Sequence, residues 1–206
     1  MPNKSLDASG TSALVIDNLS ATWLSPAAST QPFDGYVVPR DFRGGTIATL
    51  HLICGLPCSG KTTLAKALEL KMPALRLSPD EWITRLYGAD TSGEALDAAR
   101  DLVEAVLWDL AARVLVLGVD VILEYGFWSR SEREEFRRRS AQLGARSELH
   151  FTHAPEGELL RRLTRRNADL PVGTFRIEEA RLREWIALFE SPNADELLAR
   201  EQPEQP

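Results

Sequence analysis

The run Gly55-Leu56-Pro57-Cys58-Ser59-Gly60-Lys61-Thr62, followed by Thr63, fits the spacing G-x-x-x-x-G-K-[ST]. That spacing suits anion chemistry. Backbone N–H groups of a Gly-containing turn, continued by a helix N-terminus, point into one concavity that attracts phosphate oxygens. Lys61 would reach the β and γ phosphates of a nucleoside triphosphate, and the Thr62 hydroxyl would coordinate Mg²⁺ bridging them. Gly60 keeps the backbone close to phosphate. Residues Gly55 to Thr63 are therefore the nucleotide-binding candidates. No N/T-K-x-D segment is present to read guanine, which favours ATP over GTP.

Two carboxylates stand where an acceptor or a metal would need them. Asp80 follows the short apolar run Ala74–Leu77; an acid there can hydrogen-bond an alcohol and orient it in line with the γ-phosphorus. It would equally serve as a first-turn acid of the helix opened by Ser78-Pro79. Glu124 ends the run VDVIL, at the strand edge where open α/β sheets bind ligands, and would hold Mg²⁺ or a substrate hydroxyl. An incidental strand-end acid is its alternative. Tyr125, Phe127 and Trp128 follow, and with Trp82 and Tyr87 they would either line an acceptor pocket or pack in the core. His51, His150 and His153 lie on strands or strand ends without ligand spacing, so none is read as a metal ligand.

The elements that must position these residues alternate. A strand is expected over 46–54, a helix over 61–71 stopped by Pro73, and a strand over 74–77. A helix over 78–87 ends at Gly88. A long helix follows over 94–117, with Leu96, Ala99, Val103, Val106, Leu110, Val114 and Leu117 on one face. A strand over 119–123, an Arg-rich surface helix over 131–142 and a strand over 147–152 come next, then helices over 156–167 and 176–189. Strand–helix alternation predicts an α/β fold: a mainly parallel sheet in three layers, with helices on both faces.

Composition agrees with one compact domain. The 206 residues carry 44% hydrophobic and 26% charged residues and a net charge of −6, which excludes a disordered or fibrous chain. No apolar run reaches the ~18 to 20 residues of a membrane helix; Val114–Leu123 is broken by Gly118 and Asp120. The first residues lack a secretory apolar stretch, so a cytoplasmic location is expected. Cys54 and Cys58 sit in one short segment and cannot staple distant parts of the chain; a core thiol and a tolerated loop thiol are favoured over a redox pair. Residues 1–45 read as an arm with at most a short added strand, 46–192 as the domain, and 193–206 as a frayed polar tail. Charge is uneven. Residues 130–183 hold 13 arginines against nine acids, whereas 78–124 hold ten acids against Arg85, Arg100 and Arg113. On that placement the acceptor is neutral or cationic rather than a polyanion, and nucleic acid is not the expected partner.

With GLPCSGKTT, LSPDEW and VILEYGFWSRSEREEF, the chain resembles small P-loop kinases of the polynucleotide kinase, chloramphenicol phosphotransferase and zeta-toxin kind over about residues 48–190. The resemblance implies a three-layer P-loop NTPase fold, and ATP and Mg²⁺ as cofactors. It implies transfer of the γ-phosphoryl group to a hydroxyl of a small-molecule acceptor. Asp80 takes the place of the acid that accepts the alcohol's proton. Arg161, Arg162, Arg165 and Arg166 pair at i, i+4 ahead of NADLPVGTF, and the resemblance makes the segment of about 162–176 a lid whose arginines close on phosphate. Arg166 or Arg162 is then the catalytic candidate, with Arg165 on the nucleotide; a solvated basic face is the alternative. Arg137–Arg139 are expected to solvate the preceding helix. Ile83 stands where the polynucleotide kinase pattern has Arg, which argues against a 5′-hydroxyl nucleic acid acceptor. An ATPase that drives motion would show two adjacent acids where this chain has Glu124-Tyr125, and a nucleotide-sensing module would bind ATP without turning it over.

Overall fold

The structure, a computed structural model, describes residues 47–198. The arm expected at 1–45 and positions 199–206 of the expected tail lie outside the described residues. Four strands, β1 (Thr49–Cys54), β2 (Ala74–Leu77), β3 (Asp120–Gly126) and β4 (Arg146–Phe151), form one sheet in the order β2-β3-β1-β4. All three pairings are parallel. The helices are α1 (Lys61–Lys71), α2 (Pro79–Tyr87), α3 (Gly93–Val116), α4 (Arg130–Gln142), α5 (Glu156–Ala168) and α6 (Glu179–Leu188). Every element predicted from periodicity over these residues is present, with ends shifted by up to three residues.

β1 is central and buried on both faces, hence its near-continuous apolar run. Leu50, Leu52 and Cys54 face a core shared with Val121 and Leu123 of β3, Leu149 of β4 and Ala99, Val103, Leu107, Ala111 and Leu115 of α3. Ile53 and Ile122 face the other way, against Ala65 of α1. These two apolar layers make the three-layer arrangement. The α3 stripe differs from expectation. Val106, Leu110 and Leu117 are exposed, and the buried line runs 99, 103, 107, 111, 115. Apolar residues occur on several faces of that helix, and the small Ala99 and Ala111 select the side that fits closest to the sheet.

A third cluster joins Leu56 of the loop after β1 to Leu159 and Leu163 of α5 and Leu182 of α6. The phosphate loop is thus braced from behind by the two C-terminal helices. Its backbone leaves no room at Gly55, where φ is +147° and a Cβ would stand 2.5 Å from the Thr152 carbonyl and 2.7 Å from Ser59 Oγ. Cys58 adopts φ 66°, a left-handed conformation that a side chain disfavours.

The Arg-rich helix α4 is not simply a solvated surface. Ser129 caps it, accepting from the Glu132 N–H at 3.1 Å, while Arg133 and Arg137 are buried. Arg133 donates to both carboxylate oxygens of Glu196, at 2.7 and 3.2 Å, and to the carbonyls of Phe127 and Glu190. Arg137 donates to the Glu196 carbonyl. Glu196 is wholly buried, so the chain through Glu196 is docked where composition predicts fraying, and Arg137 is not a solvating residue. A bidentate buried ion pair overrides local polarity, because either charge alone would be stranded in the core. The Arg133 hydrogen bond holds the Glu196 carboxyl below the usual carboxylate range.

No helix among the described residues is long and apolar enough to cross a membrane.

Two stability outcomes follow. Glu196→Ala strands Arg133 and should cost about 3–5 kcal/mol, read as a lower urea midpoint with unchanged slope. Cys58→Gly removes a left-handed penalty of about 1–2 kcal/mol that outweighs glycine's entropy cost of about 0.5–1 kcal/mol, so its midpoint should rise slightly.

Candidate functional site

The loop between β1 and α1 opens at the carboxyl edge of the sheet, beside the ends of β3 and β2. Gly60, at φ 109°, forms the N-cap of α1, so the loop N–H groups and the helix N-terminus share one concavity. The loop is tied in place from three sides. The Gly55 N–H donates to the Gly126 carbonyl at 2.9 Å, Ser59 Oγ meets Thr152 Oγ1 at 2.7 Å, and the Thr152 N–H donates to the Cys54 carbonyl at 2.9 Å. Thr152, at the end of β4, had no motif to announce it.

Lys61 folds back and donates from Nζ to the Leu56 carbonyl at 2.9 Å. Burial lowers its pKa, Asp80 and Glu124 oppose that shift, and the Arg166 charge adds to it. Charges from α2, β3 and α5 thus act on this one ammonium. Thr62 Oγ1 donates to Glu124 Oε1. This pair of hard oxygen ligands fits Mg²⁺. Burial raises the Glu124 pKa, against the Thr62 hydrogen bond and the Arg76 and Lys61 charges. β3 gains a residue against β1 beyond Leu123, since Leu52 pairs with Leu123 and Cys54 with Gly126. The irregularity lies at Glu124-Tyr125 and re-aims the strand end beside the loop.

Two guanidinium groups escaped the sequence reading. Arg76 of β2 donates to Glu124 Oε2 at 2.9 Å, to both oxygens of Glu81 at 2.9 and 2.8 Å, and to Glu69 at 3.1 Å. A lone charge inside the short apolar strand ALRL was the available signal. Arg100 of α3 donates from Nη2 to Asp80 Oδ1 at 2.7 Å and lies 3.6 Å from Glu104. Burial pushes the Glu104 carboxyl up to about 7. Ile83 is fully buried in the α3-side core.

The lid arginines separate. Arg166 donates from Nη2 to the Phe175 carbonyl at 2.9 Å, and its buried Nε has no partner among the described residues. Arg162 donates to the Cys58 carbonyl at 3.1 Å and to Glu158. Arg161 turns to Glu158, and Arg165 is exposed, like Thr62 and Thr63 at the loop's mouth. The segment after α5 is anchored: Phe175 is in the core, Asn167 bonds both polar groups of Ile177's backbone, and Gly173 lies against Glu81.

Of the aromatic candidates, Tyr125 and Phe127 stack at 5.6 Å and meet Phe136 edge-on, and Phe136 in turn meets Trp108. They form core, not pocket wall. Trp128 packs on Trp185, while Trp82 and Tyr87 are exposed on α2. Cys54 is buried, donating to the Phe127 carbonyl at 3.3 Å, with burial pushing its thiol up to about 12. Cys58 belongs to the cluster on the other side of the loop, and both thiols are free.

Residues 50–192 match the family model described as an AAA domain. No curated protein matches the sequence. Among solved structures, the chain is similar to one in the Pnkp1/Rnl/Hen1 RNA repair complex, with TM-score 0.57 and 14% identity over 73% of this chain and 46% of that one. It is similar to Kti12 of Chaetomium thermophilum, solved with ADP-AlF3, with TM-score 0.54 and 19% identity over 70% and 81% of the two chains. A gluconokinase from Sinorhizobium meliloti 1021 gives 0.51 and 17% over 78% and 86%. The chain thus spans less than half the length of the RNA-repair chain. At these identities the likeness carries the fold alone. With a nucleotide-binding loop at the sheet's carboxyl edge and a model match over most of its length, this chain belongs to the AAA domain family of P-loop proteins.

Proposed function

We propose that this chain transfers the γ-phosphoryl group of ATP, with Mg²⁺, to a hydroxyl of a small-molecule acceptor. The observation that supports this reading is the Thr62–Glu124 hydrogen bond at the phosphate loop, with Arg76 on the second Glu124 oxygen and Arg100 on Asp80. Phosphoryl transfer needs a positioned nucleophile and compensated phosphate charge more than covalent help from the protein. The loop amides and Lys61 would bind the phosphates, displacing the Leu56 carbonyl from Nζ. Mg²⁺ would neutralise charge between the outer phosphates. Thr62 and Glu124 would hold it, with Arg76 fixing the second Glu124 oxygen. Asp80 would orient the acceptor hydroxyl and take its proton, while Arg100 sets the carboxylate's direction as a positioning residue. Arg166, with its unsatisfied buried Nε, would meet charge developing on the transferred group, and Arg162 would hold the loop at Cys58. The exposed Arg165 would reach the nucleotide only from the segment's outer side. Free thiols at Cys54 and Cys58 suit a reducing compartment, in keeping with a cytoplasmic location.

Two other readings each rest on one observation. Arg100 puts a guanidinium beside Asp80 from another element, where Ile83 could not, and this favours a nucleic acid 5′-hydroxyl. Kti12 with ADP-AlF3 points to an ATPase, against which only Glu124, followed by the core residue Tyr125, stands at the end of β3.

Incubation with γ-labelled ATP and fractionated metabolites should yield a labelled small product, with little ATP consumed until acceptor is added. Fast acceptor-free hydrolysis would favour the ATPase, and label on oligonucleotides the nucleic acid kinase. Asp80→Asn should lower turnover by about 10²–10⁴-fold, the usual share of a general base, with ATP affinity kept in equilibrium binding. Near-normal turnover would remove Asp80 from the mechanism. Glu124→Gln should raise the Mg²⁺ concentration needed for half-maximal rate, and an unshifted Mg²⁺ titration would take Glu124 out of the metal site.

A further inference from the structure

We propose that His51, His150 and Glu148 form a binding site for a divalent transition-metal ion of the zinc class, separate from the phosphate loop. The sequence places His51 about a hundred positions from Glu148 and His150, with no ligand spacing. The β1–β4 pairing changes that: His51 stands opposite Glu148, and His150 opposite Ile53, so all three side chains leave the sheet on the α1 face.

The ligand atoms are already disposed as three corners of a tetrahedron. His51 Nδ1 lies 3.0 Å from His150 Nε2 and 3.5 Å from Glu148 Oε2, and His150 Nε2 lies 3.7 Å from the same carboxylate oxygen. A tetrahedral ion bound at about 2.0–2.1 Å sets its ligands about 3.3–3.4 Å apart, within that range. Imidazole and carboxylate are a donor set suited to zinc-class ions. His150 and Glu148 are partly exposed, which leaves an entry path and room for water as fourth ligand.

A second, independent observation lies behind the site. His51 is 4% exposed, and its Nε2 has no hydrogen-bond partner among the described residues. Asp120 Oδ2 lies 3.9 Å from that nitrogen, while Asp120 Oδ1 is fixed by the Thr49 N–H at 2.7 Å. An ion on Nδ1 places the ring proton on Nε2, aimed at this carboxylate, which is the support that ligating histidines commonly have. The ion would tie β4 to β1 four residues before the phosphate loop begins at Gly55.

The alternative is a bare hydrogen-bonded imidazole pair, and Co²⁺ distinguishes the two. The full chain, stripped with chelator and kept in excess Mg²⁺, is titrated with Co²⁺ followed by Zn²⁺. One equivalent of Co²⁺ should bind with the strong visible bands of low coordination and no thiolate charge-transfer band, and Zn²⁺ should displace it. His150→Ala and Glu148→Gln should each weaken binding at least about 10-fold, and Asp120→Asn should do so about 10–100-fold. Absence of Co²⁺ binding to the wild-type chain, a thiolate band, or undiminished binding in the ligand variants overturns the proposal. If a variant fails to fold, the wild-type stoichiometry and spectrum decide alone.

Discussion

A half-buried ammonium at the mouth of the phosphate loop is the constraint around which the site is arranged. Lys61 must sit at the first residue of α1 to face the loop, and burial there works against its charge. The Leu56 carbonyl supplies the near hydrogen bond, while Asp80 and Glu124 supply compensating charge. Those carboxylates then need cations of their own. Arg100 takes Asp80, and Arg76 takes Glu124 together with Glu81 and Glu69. The chain of alternating charges runs outward from one lysine until it reaches solvent.

This network changes what the uneven charge distribution means. Ten acids between 78 and 124 suggest a negative acceptor side. In the fold, the acids nearest the loop are paired, one with Arg76 on a strand outside that segment. The arginine excess over 130–183 is likewise divided. Arg133 is spent inside the protein on Glu196, Arg138 and Arg139 lie on the surface with Glu135, and Arg166 is held by the Phe175 carbonyl. Counting charges along the chain says little about the field an acceptor meets, because ion pairing cancels it locally.

Packing explains why the loop holds its shape. Gly55 fits between Thr152 and Ser59 with no space for a Cβ, and Leu56 is anchored to α5 and α6. The last two helices thus have a structural task besides any contact with phosphate. The docked Glu196 extends it, since its partner Arg133 also holds the Phe127 and Trp128 carbonyls at the end of β3.

Local patterns determined the phosphate loop, the alternation of strands and helices, and the positions of Asp80 in the first turn after β2 and Glu124 after the apolar run of β3, because spacing and periodicity are properties of neighbouring residues. The buried stripe of α3 was ambiguous, since several of its faces are apolar and only the sheet selects one. Arg76, Arg100, Thr152, Glu196 and the His51–Glu148–His150 cluster depended on the tertiary structure. Each acts on a partner from a different element, and in every case the contact joins residues at least 20 positions apart. Which side chains meet across a parallel sheet is set by strand order and register, which no short stretch of sequence encodes.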